Sequence, residues 1–163
     1  IATELGLKNS QIQKAVKKLK SYNKRLEIKN HKSFTLINDT YNANPDSMKS
    51  SLEILSKIEK RKRKIAVLGD MVELGAESKN KHLELANVIN KTNVNEVYTI
   101  GKMMKLMNRK LNGKTKVHQH FEDRELLKKY LQTFDIKKSV VLVKGSRGMK
   151  MEEFVSIIES TKE

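Results

Sequence analysis

A chain of 163 residues, 37% hydrophobic and 33% charged, supports one domain with room for a further fragment, and the absence of cysteine excludes a disulfide framework and thiolate metal sites and fits a reducing compartment. The net charge of +15 invites a nucleic-acid reading, but it is mostly lysine scattered along the chain, and the four Tyr and four Phe are not interleaved with it as a single-strand binding surface requires. No apolar run approaches the ~18 residues that span a bilayer, and the start at Ile1 without Met or signal-peptide pattern reads as a piece of a longer protein.

Residues 1 to 22 open with Ile1-Ala2-Thr3-Glu4-Leu5-Gly6-Leu7 and continue with Gln11 to Leu19, where Ile12, Ala15, Val16 and Leu19 share one helical face. Gly6 marks the turn, and Ser10 is placed to cap the second helix. The pattern fits a helix-turn-helix and also the tail of a truncated neighbouring domain. A DNA-binding unit needs a complete three-helix or winged fold, so the truncated tail is the expectation. Arg25 to Ile37 reads as a β-hairpin around the polar turn Asn30-His31-Lys32.

The stretch Leu36-Ile37-Asn38-Asp39-Thr40-Tyr41-Asn42-Ala43-Asn44-Pro45-Asp46-Ser47 is then a strand end, a polar loop and a helix start. Asn44 suits the cap and Pro45 the first helical position, where a missing N–H costs nothing. The loop holds more amide and carboxylate groups than a turn needs, at a place where α/β proteins bind ligands. A capped, Asn-rich turn is the plain alternative.

From Pro45 onward, strand and helix patterns alternate. Met48, Leu52, Leu55 and Ile58 mark a helix, and the basic run Lys60-Arg61-Lys62-Arg63-Lys64 leads into the buried strand Ile65-Ala66-Val67-Leu68. That run fits a solvated connection as well as a phosphate-binding patch. Asp70 to Gly75 is a loop; Leu85, Ala86 and Ile89 mark a helix, Val97 to Ile100 a strand, and Met103, Met104, Met107 and Leu111 a helix whose methionines read as core. Val117 to Phe121 is a short strand, Leu126 to Phe134 an amphipathic helix, Val140 to Val143 a buried strand, and Met151 to Ile158 a last helix. The alternation implies a largely parallel sheet with right-handed crossovers. Strands ending at Gly69, Gly101 and Gly145 then open their loops on one sheet edge.

Little of the chemistry is self-contained. Gly145-Ser146-Arg147-Gly148 is too short for a phosphate loop and lacks its Lys-Ser/Thr ending, and no Cys nucleophile or Ser-His-Asp set is legible. His31, His82, His118 and His120 match no metal spacing and read as surface or half-buried residues. Asp70 and Glu73 flank a strand end and are open to either Mg2+ coordination or loop solvation.

Three stretches carry a family resemblance: Asn38-Asp39-Thr40-Tyr41-Asn42-Ala43-Asn44-Pro45-Asp46-Ser47-Met48, Ile65-Ala66-Val67-Leu68-Gly69-Asp70-Met71-Val72-Glu73-Leu74-Gly75, and Lys144-Gly145-Ser146-Arg147-Gly148-Met149-Lys150-Met151. In this order and spacing they resemble the C-terminal domain of the Mur ligases, of the type that adds D-alanyl-D-alanine. The resemblance runs from about Arg25 to the C-terminus. It implies an α/β, Rossmann-like domain over 23–163, mostly parallel with helices on both faces, and makes residues 1–22 a short helical remnant of the central ATPase domain. It implies a cytoplasmic bacterial enzyme of peptidoglycan precursor synthesis. ATP makes an acyl phosphate of the UDP-N-acetylmuramoyl-tripeptide carboxylate, and the amine of D-Ala-D-Ala displaces phosphate. In this family the C-terminal domain closes over ATP, while the phosphate loop and the Mg2+ ligands lie upstream of Ile1. No catalytic residue is therefore expected within the chain, which alone should neither hydrolyse ATP nor ligate.

The resemblance makes Arg25 a nucleotide contact, preceded by Lys24 where the family usually has Gly, and Asp39 the ribose-binding carboxylate, preceded by Asn38 where the family usually has Asp. Asn42 and Asn44 belong to the same ATP-binding loop. Ser146 and Arg147, with Lys144 as a lesser candidate, are expected to hold the dipeptide, whose carboxylate suits a planar guanidinium fork. The alternative from another class is a basic helix-turn-helix module for nucleic acid.

Overall fold

The apolar runs of the sequence become the inner strands of one sheet. The computed structural model describes residues 3–16, 23–112, 115 and 117–162. Its strands are β1 (Glu27–Asn30), β2 (Thr35–Asp39), β3 (Arg63–Gly69), β4 (Glu96–Ile100), β5 (Val117–Phe121) and β6 (Ser139–Lys144), in the spatial order β1-β2-β6-β3-β4-β5. β1 is antiparallel to β2, as the hairpin pattern requires, and the other pairs are parallel. β2, β4 and β6 are buried along their whole length, so the sheet needs a helical layer on each face.

Those layers are supplied by α2 (Pro45–Lys57), α3 (Ser78–Asn90) and α4 (Lys102–Asn108) on one side and by α5 (Arg124–Thr133) and α6 (Glu152–Lys162) on the other. Because strand side chains alternate, Ile37, Ala66, Leu68 and Leu142 meet Met48, Leu52, Leu85 and Met104. Leu36, Ile65, Val67 and Val143 meet Leu127, Leu131, Phe154 and Ile158. Met104 and Met107 are fully buried in the core, whereas Met103, expected with them, is only partly buried. The expected Rossmann-like architecture is present.

The chain steps outward through β3, β4 and β5, then returns beneath the opposite face to insert β6 between β2 and β3. That reversal opens a crevice at the carboxyl ends of β2, β6 and β3.

At the N-terminus, α1 (Asn9–Val16) starts one residue before Ser10, so Ser10 is not its cap. Gln11 reaches back instead, its Oε1 accepting the Lys8 N–H at 2.9 Å. The expected helical positions 17–22, including Leu19, lie outside the described residues. No helix among the described residues is long and apolar enough to cross a membrane.

His82 departs from expectation. It is fully buried, with Nδ1 2.6 Å from Ser78 O and Nε2 accepting the Met71 N–H at 3.0 Å. These partners assign the Nδ1–H tautomer, which puts no proton toward Asp70. Its place one turn before Leu85 and Ala86 on the buried face of α3 is the helical signal for that burial.

Asp70 follows β3 and accepts the N–H groups of Met103 at 3.2 Å and Met104 at 2.7 Å, closing the first turn of α4. Gly101 leaves room for it: a Cβ there would collide with the Asp70 carboxylate, and φ is +113°. Gly101→Ala should therefore lower stability by about 2 kcal/mol or more, from backbone strain and overlap together. Urea denaturation checks this, and an unchanged midpoint would refute it.

His120, on β5, lies 3.1 Å from Thr99 Oγ1 through Nδ1. Burial holds its pKa below 6.5, Lys105 and Arg109 add to the effect, and Glu122 and Asp70 oppose it. Between the lowered folded value and 6.5, the unfolded chain binds more protons, so stability rises with pH across that window. Acidification through the window should lower the urea midpoint, and His120→Gln should remove that part of the slope.

Candidate ligand site at the carboxyl edge of the sheet

β2 and β6 end level with each other, Asp39 opposite Lys144. Both are nearly inaccessible, at 6% and 1% exposure. Asp39 Oδ2 accepts from Lys144 Nζ at 2.6 Å and from Ser51 Oγ of α2 at 2.6 Å, and Oδ1 accepts the Leu26 N–H at 3.0 Å. Lys144 Nζ also donates to Asn42 O at 3.0 Å. A carboxylate has about four acceptor directions, so these donors leave one on Asp39.

The segment entering β1 is bent by two left-handed residues, Lys24 at φ +62° and Leu26 at φ +47°. Lys24 stands where the resembled family usually has glycine, the residue that adopts this backbone without strain. The turn is secured by the Tyr41 N–H donating to Lys24 O at 2.9 Å and by the Leu26–Asp39 bond. It carries Arg25 over the Tyr41 ring, Cζ 4.0 Å from the centroid. Arg147 Cζ lies 5.5 Å from the same centroid.

The β2–α2 loop is held by its own amides. Asn44 Oδ1 accepts the Ser47 N–H at 2.8 Å, and Ser47 Oγ accepts the Asn44 N–H at 3.0 Å, a reciprocal capping box with Pro45 at the first helical position. Asn42 Oδ1 accepts the Ala43 N–H at 2.9 Å and the Arg147 N–H at 3.4 Å, joining this loop to the one after β6. Arg25, Asp39, Tyr41, Asn44, Ser47 and Lys144 line a cleft of about 410 Å³.

Ser146 is buried at the junction of three loops. Its Oγ accepts the Val72 N–H at 2.8 Å and lies 3.3 Å from Ala43 O, and its N–H donates to Asp70 O at 3.0 Å. Gly145 lets the ends of β3 and β6 close up, since a Cβ there would stand 3.1 Å from Gly69 Cα. Beyond Arg147, Lys150 turns left-handed at φ +46°. Arg124 clamps that turn, donating to Met149 O at 2.6 Å and Lys150 O at 3.1 Å.

The residues singled out in the sequence thus fall into two groups. Arg25, Asn42, Asn44 and Arg147 are exposed around the crevice, whereas Asp39, Lys144 and Ser146 are buried beneath it. Sequence reasoning passed over Tyr41, although it is an aromatic inside an otherwise small and polar loop. It also passed over Arg124, whose role depends on contacts that no local pattern records.

Two other candidates have different uses. Both oxygens of Asp70 accept backbone N–H groups, and no set of three His, Asp or Glu among the described residues is placed to hold a metal ion. Of the basic run, Lys60 donates to Asn30 Oδ1, Arg61 to Lys32 O, Arg63 to Glu96 and Asp135 O, and buried Lys64 to Ser56 O. These cations stitch the domain together, and nothing here supports a nucleic-acid surface.

Comparison with known proteins follows the same lines. Residues 24–147 match the family model described as Mur ligase, glutamate ligase domain. The chain is 36% identical over 160 residues to the UDP-N-acetylmuramoyl-tripeptide--D-alanyl-D-alanine ligase of Bacillus subtilis, covering 95% of this chain and 35% of that protein. Against the ligase of the same name from Escherichia coli, identity is 32% over 126 residues, covering 76% of this chain and 26% of that protein. The structure is similar to the MurF ligase of Thermotoga maritima in complex with ADP, with a TM-score of 0.74, 29% identity, and coverage of 98% of this chain and 35% of that one. Against a MurF structure from Acinetobacter baumannii the TM-score is 0.80 at 26% identity, covering 98% of this chain and 35% of that one. The chain therefore spans about a quarter to a third of the length of these relatives.

The buried pair can be tested directly. Asp39→Asn leaves Lys144 without its counter-charge and should lower stability by about 3–5 kcal/mol. Adding Lys144→Met should restore more than half of that loss in urea denaturation. A single variant as stable as the parent would remove the pair from its structural role.

Proposed function

The chain belongs to the Mur ligases by the match of residues 24–147, and on that premise we propose that it is the C-terminal domain of an ATP-dependent ligase. That enzyme joins D-Ala-D-Ala to UDP-N-acetylmuramoyl-tripeptide in the bacterial cytoplasm, for peptidoglycan synthesis. The observation that supports the proposal is the crevice between the ends of β2 and β6, where Arg25 and Tyr41 line one cleft and Arg147, from a distant segment, reaches the same Tyr41 ring. The names of the similar ligases support the substrates.

In this reading Arg25 contacts the nucleotide. Asp39 offers its remaining acceptor direction to a ribose hydroxyl, while Ser51 and Lys144 hold the carboxylate in place. Asn42 and Asn44 shape the loop at the start of α2, whose N-terminus favours anionic groups. Arg147 pairs bidentately with the dipeptide carboxylate. Lys144 and Ser146 serve the dipeptide by fixing the loop that presents Arg147.

The reaction has two steps. The terminal phosphoryl group of ATP passes to the tripeptide carboxylate. The dipeptide amine then attacks the acyl carbon, an amide bond forms, and inorganic phosphate leaves. This domain contributes position: holding reactants at attack distance replaces encounter from solution with an oriented, effectively unimolecular step. In the same reading the Mg2+ that accompanies ATP is held by the central domain of the full-length enzyme, and this domain's residues act on the substrates by position.

Steady-state kinetics on the full-length ligase test the reading. Arg147→Lys should raise the KM for D-Ala-D-Ala about tenfold or more, because an ammonium cannot reproduce the fork, and leave the KM for ATP within about twofold. Arg25→Ala should do the reverse. Unchanged dipeptide kinetics in Arg147→Lys would rule Arg147 out of the acceptor site.

A further inference from the structure

The loop between β2 and α2 contains one aromatic residue, Tyr41. Its ring holds the Arg25 guanidinium at 4.0 Å and the Arg147 guanidinium at 5.5 Å. Its backbone N–H secures the left-handed Lys24 that delivers Arg25, through a bond of 2.9 Å to Lys24 O. Its neighbour Asn42 accepts the Arg147 N–H at 3.4 Å. A long exposed arginine samples many rotamers, and the negative face of a phenol ring restricts it to those that lie over the ring.

We propose that Tyr41 is a positioning residue for both substrates: its ring orders Arg25 for the nucleotide and Arg147 for the dipeptide carboxylate. The inference rests on the roles given to these two arginines above. It adds that the two subsites are not independently built. Both arms are aimed by the same side chain, which touches neither reacting group. The contact runs through the ring face, so the phenol hydroxyl is dispensable.

The test is steady-state kinetics on the full-length ligase. Tyr41→Leu should raise the KM for ATP and the KM for D-Ala-D-Ala each about two- to fivefold, the range of an exposed cation–π contact, with a smaller change in kcat. Tyr41→Phe should match the parent. In an Arg25→Ala background, Tyr41→Leu should no longer move the ATP constant but should still move that of the dipeptide; in Arg147→Ala the pattern should invert. Tyr41→Gln, ringless and well solvated at this half-exposed position, carries the same test if Tyr41→Leu does not fold.

The inference is overturned if the ringless variant leaves either constant unchanged, if Tyr41→Phe reproduces the loss, or if the ATP effect persists undiminished in Arg25→Ala. The arginine variants separate the two levels. If Arg25→Ala and Arg147→Ala raise their own constants while the ringless variant raises neither, only the role of Tyr41 falls. If the arginine variants leave those constants unchanged, the arginine assignment falls and takes the Tyr41 inference with it.

Discussion

The carboxyl edge of this domain depends on one buried ion pair. Asp39 and Lys144 end neighbouring strands and meet at 2.6 Å with almost no access to water. An ammonium buried without its partner is costly, which ties the placement of β6 to that of β2. A slip of one residue would turn Lys144 toward the opposite face of the sheet and strand both charges. The same two groups also gather the surroundings. Asp39 accepts the Leu26 N–H from the chain entering β1 and the Ser51 hydroxyl from α2, and Lys144 donates to Asn42 O in the loop above.

On this base the site divides into anchors and arms. Asp39, Lys144 and Ser146 are buried and join loops that are far apart in sequence. Arg25, Asn42, Asn44 and Arg147 are exposed on those loops, the two asparagines holding the β2–α2 loop in shape. Left-handed residues lie close to both arginines: Lys24 and Leu26 around Arg25, and Lys150 after Arg147. Such backbone is unfavourable for residues with a Cβ and persists only where neighbours over-determine it. The Tyr41 N–H, the Asp39 carboxylate and the Arg124 guanidinium supply that constraint. The arms are thus aimed by strained turns that the core holds in place.

Much of this architecture was legible from local pattern. The runs Ile65 to Leu68 and Val140 to Val143 are apolar without alternation, as strands covered on both faces must be, and both lie in the sheet interior. Asn44-Pro45 announced the start of α2, and the capping box with Ser47 matches that signal. Where local reasoning erred, a neighbour had decided the matter. Ser10 was a reasonable cap until Gln11 reached back to Lys8. His82 reads as a surface or half-buried residue by its type, yet its spacing to Leu85 and Ala86 puts it on the buried face of α3.

The residue types at each strand end, the period of each element and three motifs long enough to resemble one family are all written in the chain itself. These are local properties, set by side-chain volume, polarity and backbone preference within a few residues. Which of these residues face water and which face each other follows from the assembled sheet. Asp39 and Lys144 both looked available as ligand groups; they pair because β6 is inserted beside β2, and no pattern within either strand encodes that neighbour. Tyr41 gained its two arginine neighbours in the same way. Sheet order brings together chain segments that share no local interaction, and a side chain's partner is settled only when that order is complete.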